Sequence, residues 1–171
     1  MMRFISSAFL ILFSAVQLCF AQDSAIQINS AWANLKTQLE RRTDIVAHFS
    51  AILDQSTLIG KKQLARSRMF AVDLFKYIDT LNIKDSLTIG LAKNKNDSLR
   101  QELGKALPKL IQDPEFRNRS DFMGLIAQLE GINNRIVVAR KEYNDLCKKF
   151  KRFDLLFDAN QIDKPPAVIF Q

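Results

Sequence analysis

The stretch Asp121–Phe157, DFMGLIAQLEGINNRIVVARKEYNDLCKKFKRFDLLF, decides the fold of this 171-residue chain. Read in steps of four and three it gives Leu125, Leu129, Ile132, Ile136, Ala139, Tyr143, Leu146, Phe150, Phe153 and Phe157. Every step lands on an apolar or aromatic residue, and no glycine or proline interrupts the run to Phe157 after Gly131. A 4-3 repeat places one apolar seam along one long α-helix. At about 1.5 Å per residue such a helix would be roughly 55 Å long. A helix of that length cannot bury its seam alone, so the rest of the chain is expected to pack against it.

A second seam supplies the partner. Ser24-Ala25-Ile26-Gln27 has the S-x-x-Q form of a capping box, in which serine and glutamine satisfy free amides of a first helical turn. Ile28, Trp32, Leu35, Leu39, Arg42, Val46, Phe49 and Leu53 follow at 4-3 spacing, so a helix over about 24–56 is expected. Only Arg42 interrupts its apolar face. Trp32, the one tryptophan, should be buried against the long helix.

Between these helices the signals are weaker. Lys61 to about Leu81 reads as a basic amphipathic helix with Leu64, Ala71, Leu74, Ile78 and Leu81 on one face. Residues 86–93 suit a short helix that Asn94-Lys95-Asn96-Asp97 should break. Ser98-Leu99-Arg100-Gln101 is another capping box, and Pro108 is expected to kink or end the helix it opens. Asp113-Pro114 marks a stop, and Ser120 is a good N-cap for the long helix. Pro165-Pro166 forbids helix near the C-terminus, so residues 161–171 are expected to lie as an extended tail on the bundle. The fold class is therefore all-α: an antiparallel, four-helix-type bundle of long helices over residues 22–160.

Residues 1–21 read as a secretory signal peptide. Arg3 gives the positive start, Phe4 to Phe20 the apolar stretch, and Cys19-Phe20-Ala21 the small residues of a cleavage site. A retained membrane anchor through residues 4–20 and lipidation at Cys19 stand as alternatives, although Val16-Gln17-Leu18 fits a lipobox poorly. In each case the domain is expected outside the cytoplasm, in the periplasm or cell envelope. Cleavage would remove Arg3 and no acid, lowering the net charge from +7 to +6. For an exported basic protein, anionic membrane surfaces or envelope components suit better than nucleic acid as partners, beside the plainer reading of a solvated basic surface. After cleavage Cys147 is the one cysteine left, so no intrachain disulfide is expected.

Chemistry-bearing patterns are scarce. There is one histidine, His48, with no Cys or His cluster around it, and neither a Gly-rich phosphate loop nor a G-x-S-x-G elbow occurs. No catalytic residue, cofactor or metal is expected, and an enzyme, including an envelope hydrolase, is the disfavoured class. What stands out is polar residues beside the seams: Arg41, Arg42 and Asp44 on the first helix, and Glu130, Asn134, Arg135, Arg140, Tyr143 and Asn144 on the long one. A guanidinium near a core must be paired, because an unpaired buried charge costs several kcal/mol or more. In an antiparallel pair Arg42 is expected to meet Glu130 or a nearby asparagine. These residues then fix helix register, or line a ligand-binding cleft.

The same residues carry a family likeness. Ala31-Trp32 with Gln38-Leu39-Glu40-Arg41-Arg42-Thr43-Asp44-Ile45-Val46 resembles the A-W…Q-L-x-R-R-x-D-L-I stretch of the LemA family. Gln128-Leu129-Glu130, Asn134-Arg135-Ile136, Ala139-Arg140 and Tyr143-Asn144 resemble its Q-L-E…N-R-I-x-x-A-R-x-x-Y-N signature, and Leu107-Pro108-Lys109-Leu110 with Phe122 fits its P-x-L…F spacing. Ala47-His48 departs from the proline and asparagine usual there. The resemblance implies a helical bundle behind an N-terminal membrane-targeting segment, and no known enzymatic activity. An envelope scaffold or interaction module is the function expected, with a regulatory or ligand-binding module around Arg42, Glu130 and Arg140 as the second reading.

Overall fold

The structure, a computed structural model, describes residues 2–54, 61–79 and 86–157, and within them the side chains of 23–49, 51–52, 65–79 and 86–157. The expected extended tail at 161–171 lies outside the described residues, as do the side chains on which the signal-peptide, anchor and Cys19 readings rest. Five helices pack together: α1 (Met2–Asp54), α2 (Lys61–Asp79), α3 (Ser86–Gln112), α4 (Pro114–Arg117) and α5 (Ser120–Lys149), with a 3-10 turn at Phe153–Leu155. Among the described residues none is in a strand.

The two long seams meet as their spacing requires. α5 packs along α1, whose other side takes α2, and α2 packs on α3. Trp32 meets Tyr143 edge-on at 5.3 Å between ring centroids, and Phe49 meets Phe122 at 5.5 Å. Contacts that advance along α1 thus retreat along α5. Ile28, Trp32, Leu35, Leu39, Val46 and Phe49 are all buried, as are Leu129, Ile132, Ile136, Ala139 and Tyr143 opposite. Removing a ring the size of Trp32 from such a core costs about 3–5 kcal/mol. Ala71, Leu74 and Ile78 of α2 and Ile89, Leu99 and Leu103 of α3 complete one contiguous core. α4 and the 3-10 turn bridge α3 and α5.

Several boundaries differ from the sequence expectation, each for a physical reason. α1 does not start at the Ser24 capping box, because residues 2–54 hold no glycine or proline to end a helix entering from upstream. α3 runs straight through Asn94–Asp97. Asn96 faces the core and accepts a hydrogen bond from Arg42, which outweighs its turn preference. Ser98 opens no helix; its hydroxyl bonds back to the Asn94 carbonyl at 2.9 Å. Pro108 does not stop α3 either. Pro108 and Gly104 are both exposed, so water can reach the Gly104 carbonyl that the proline leaves without its helical donor. Asp113 caps α4, accepting from the Glu115 amide at 2.9 Å, so the Asp113-Pro114 pair starts a helix as well as ending one. Arg119, not Ser120, occupies the N-cap position of α5.

The largest departure lies at the end of α5. The helix stops at Lys149, not Phe157. Lys151 takes φ 57°, the Arg152 amide bonds the Cys147 carbonyl at 2.7 Å, and the Lys151 amide bonds Lys148 at 3.0 Å. That pair of bonds is a Schellman ending, with lysine where glycine is usual. Beyond the turn Phe153 is left exposed, whereas Leu155 and Phe157 are buried. Phe157 stacks at 5.8 Å against Trp32. Within α5 itself the fully buried residue near the C-terminus is Cys147 and not Leu146. A 3.6-residue helix drifts against a 3.5-residue repeat in that direction.

A left-handed lysine costs about 1–2 kcal/mol, part of which glycine returns as unfolded-chain entropy. Lys151→Gly is expected to stabilise the chain by about 0.5–1 kcal/mol in denaturant titration. A loss of stability would show that the turn is held by the lysine side chain instead.

Candidate functional site

The polar residues flanking the two seams divide by depth. Arg42 is 3 % exposed and donates through Nη2 to Oδ1 of Asn96 on α3. The long helix was the expected source of its partner, through Glu130 or a neighbouring asparagine. The Asn96 bond instead reaches across the core to a helix that the sequence left broken at that point. A charged donor on a buried carboxamide is a strong hydrogen bond, and it ties α1 to α3 in a single register. Thr43, also buried, bonds back to the Glu40 carbonyl at 2.7 Å.

Tyr143 and Asn144 hold the chain that follows α5. The Tyr143 hydroxyl donates to the Leu155 carbonyl at 2.9 Å. Asn144 Oδ1 accepts the Phe157 amide at 2.9 Å. Two buried backbone groups in an irregular segment are thereby satisfied by adjacent side chains of one helix. Burial pushes the Tyr143 phenol far above the ordinary tyrosine range, with Cys147 beside it adding to the effect. Burial also raises the Cys147 thiol, so this cysteine is not an activated nucleophile. Arg152 and Asp154 form an exposed fork, 2.9 and 3.0 Å, just beyond the turn.

Of the remaining residues, all but Arg140 lie at or near the surface. Arg41 and Asp44 are exposed, Glu130 is half-buried, and Arg140 is buried on the inner side of α5. Asn134 and Arg135 are exposed and line an open groove of about 420 Å³ between α1 and α5, with Asn34, Gln38, Val138 and Ala139. Asp44 lines a second groove of about 330 Å³ between α1 and α2, with Arg68, Val72 and Phe75 among its walls. Among the described residues no cluster of three or more His, Cys, Asp or Glu side chains is placed to hold a metal ion. Among the residues whose side chains are described, no helical stretch is long and apolar enough to cross a membrane.

Two residues carry more than the sequence reading gave them. Asn96 sits in a tract that reads as a helix breaker, yet it falls on the 4-3 spacing of Ile89, Ala92, Leu99 and Leu103, a signal the sequence did carry. Gln38 is only 8 % exposed, and its Oε1 has no hydrogen-bond donor. Its position four residues after Asn34 put both on one helix face, a signal available in the sequence.

A family model described as the LemA family matches residues 31–163. The matched span takes in the α1 seam from Trp32 onward, the Arg42–Asn96 pair, both grooves and the Tyr143–Asn144 clasp. No curated protein matches the chain.

Asn96→Leu is expected to lower stability by about 2–3 kcal/mol by taking the acceptor from a buried guanidinium, and Arg42→Leu by about 1–3 kcal/mol by orphaning the Asn96 carboxamide. The double variant should recover most of either loss, and a denaturant double-mutant cycle measures this; strict additivity would mean that the two side chains are not coupled. The Tyr143 phenol has a raised folded pKa, so its contribution is complete below the ordinary value of about 10 and is lost as pH rises above it. Tyr143→Phe should cost about 1–2 kcal/mol at neutral pH by leaving the Leu155 carbonyl unpaired. It should also lessen the decline of stability above pH 10, read by unfolding curves across that range.

Proposed function

The chain belongs to the LemA family, and from that premise we propose an exported or membrane-associated helical interaction module, a scaffold of the cell envelope rather than an enzyme. The observation that carries this reading is the fate of the polar residues inside the matched span. Arg42 is engaged with Asn96, Tyr143 with Leu155, and Asn144 with the Phe157 amide. These three buried side chains are thus occupied in holding the fold together. The exposed members of the same set, Asn134 and Arg135, line a shallow surface groove of the kind that docks a partner.

In this reading residues 22–160 form an antiparallel bundle, supported by ring contacts that run in opposite order along α1 and α5. Residues 1–21 direct the chain to the membrane, as a cleaved signal or as a retained anchor. An anionic membrane surface suits the outward face of α2, where Met69, Val72 and Phe75 are exposed among Arg66, Arg68 and Lys76. A regulatory ligand-binding role is the second reading, favoured by the α1–α5 groove.

Cell fractionation tests the proposal. The chain is expected in the envelope fraction, and in-cell crosslinking there should capture a defined component. Recovery of the full-length chain in the cytosol, with its leader uncut, would sink the reading.

A further inference from the structure

Gln38 is the anomaly of the α1–α5 interface. Its side chain forms part of the groove floor, it is more than nine-tenths buried, and its carbonyl oxygen has no donor. Buried polar groups are ordinarily hydrogen-bonded, so an orphaned acceptor beside an open groove points to a donor that arrives from outside. A turn about the last bond of the carboxamide presents either its oxygen or its amide to an occupant.

The rest of the lining says what that occupant carries. Asn34 on α1 and Asn134 on α5 each offer a carbonyl and an NH2 group, the pairing that matches the N–H and C=O of a peptide unit. Arg135 is exposed at the same wall, and its planar fork suits a carboxylate. No aspartate or glutamate lines the groove to oppose that charge. Val138, 68 % exposed, and Ala139 supply a small apolar contact. No aromatic ring lines it as a stacking platform. The groove opens to solvent between the two helices and encloses no cavity, so a segment laid across the surface fits it better than an enclosed small molecule.

We propose that the α1–α5 groove binds an extended acidic peptide segment of a partner protein. Gln38, Asn34 and Asn134 hydrogen-bond its backbone, Arg135 holds its carboxylate, and a short apolar side chain rests on Val138. This deepens the interaction-module reading and rests on it.

The test is fluorescence anisotropy on the purified full-length chain in detergent micelles, at low ionic strength. The probes are three labelled hexapeptides, blocked at both ends, that differ in one central residue: glutamate, glutamine or lysine. The glutamate peptide is expected to saturate and the lysine peptide to bind about tenfold more weakly or not at all. Arg135→Gln should weaken the glutamate peptide by about tenfold and leave the glutamine peptide unchanged. Gln38→Leu should weaken both while the thermal midpoint stays level or rises, since it removes an unsatisfied buried acceptor. Val138→Glu, at an exposed position, should abolish binding of the glutamate peptide with the fold intact. The proposal is overturned if no peptide saturates, or if glutamate and lysine peptides bind alike. It is equally overturned if Gln38→Leu lowers the midpoint and leaves binding intact. Because the titration uses purified chain, it can fail while envelope fractionation succeeds, and the reverse also holds.

Discussion

Burial of the α5 seam against α1 is the contact on which the other elements depend. Neither helix has an apolar stripe wide enough to be covered by anything smaller than another long helix, and each lacks the polar surface to stand alone. Trp32 marks the centre of that dependence. It meets Tyr143 from α5 and Phe157 from the segment beyond α5, within 5.3 and 5.8 Å. One aromatic side chain on α1 therefore fixes both where α5 lies and where the chain goes after it. Phe49 does the corresponding work at the other end, against Phe122, which in turn meets Phe116 of α4 at 5.2 Å.

Once the seam is closed, the polar residues near it have two kinds of work. Those facing inward must be satisfied, and the fold satisfies most of them with groups far apart in sequence. Arg42 finds Asn96 on α3, although α1 and α3 do not lie side by side as packed neighbours. A bond of that reach aligns helices that apolar packing alone would let slide, since ridges and grooves repeat along a helix while a carboxamide does not. Tyr143 and Asn144 work on a shorter scale. By taking up the Leu155 carbonyl and the Phe157 amide they make an irregular, partly buried segment tolerable.

The long seams were legible because they repeat over many turns, and repetition averages out local exceptions such as Arg42. Trp32, Leu35, Ile136 and Tyr143 all sit where their spacing puts them. The failures lie where a tertiary contact overrides a local preference. Asn94–Asp97 reads as a break because nothing in the sequence shows that Asn96 will meet a guanidinium 54 positions away. Pro108 reads as a stop because its exposure, which lets water take the freed carbonyl, is a property of the packed bundle. The end of α5 was hidden for a different reason. Phe150, Phe153 and Phe157 continue the 4-3 spacing, and no glycine announces the turn at Lys151. Of the site residues, the spacing correctly placed Arg42, Arg140, Tyr143 and Asn144 near the core. It gave no way to tell them from Asn134 and Arg135, which lie one helical face away and are exposed.

Comparison of the two grooves shows why the proposed binding site falls in one of them. The α1–α2 groove has Thr43 and Asp44 on its α1 wall and Arg68, Val72 and Phe75 on its α2 wall. Its buried polar residue, Thr43, already has its bond to Glu40. The groove is then a surface between two packed helices, with no orphaned buried polar atom among its described lining residues. The α1–α5 groove differs by one atom. Gln38 Oε1 is held out of water and given no donor, which is unfavourable by about 1–3 kcal/mol for a group of this kind. A leucine would fill the same space without that penalty. The position therefore costs the isolated chain stability, and under the proposal above the hydrogen bond of a docked segment offsets that cost.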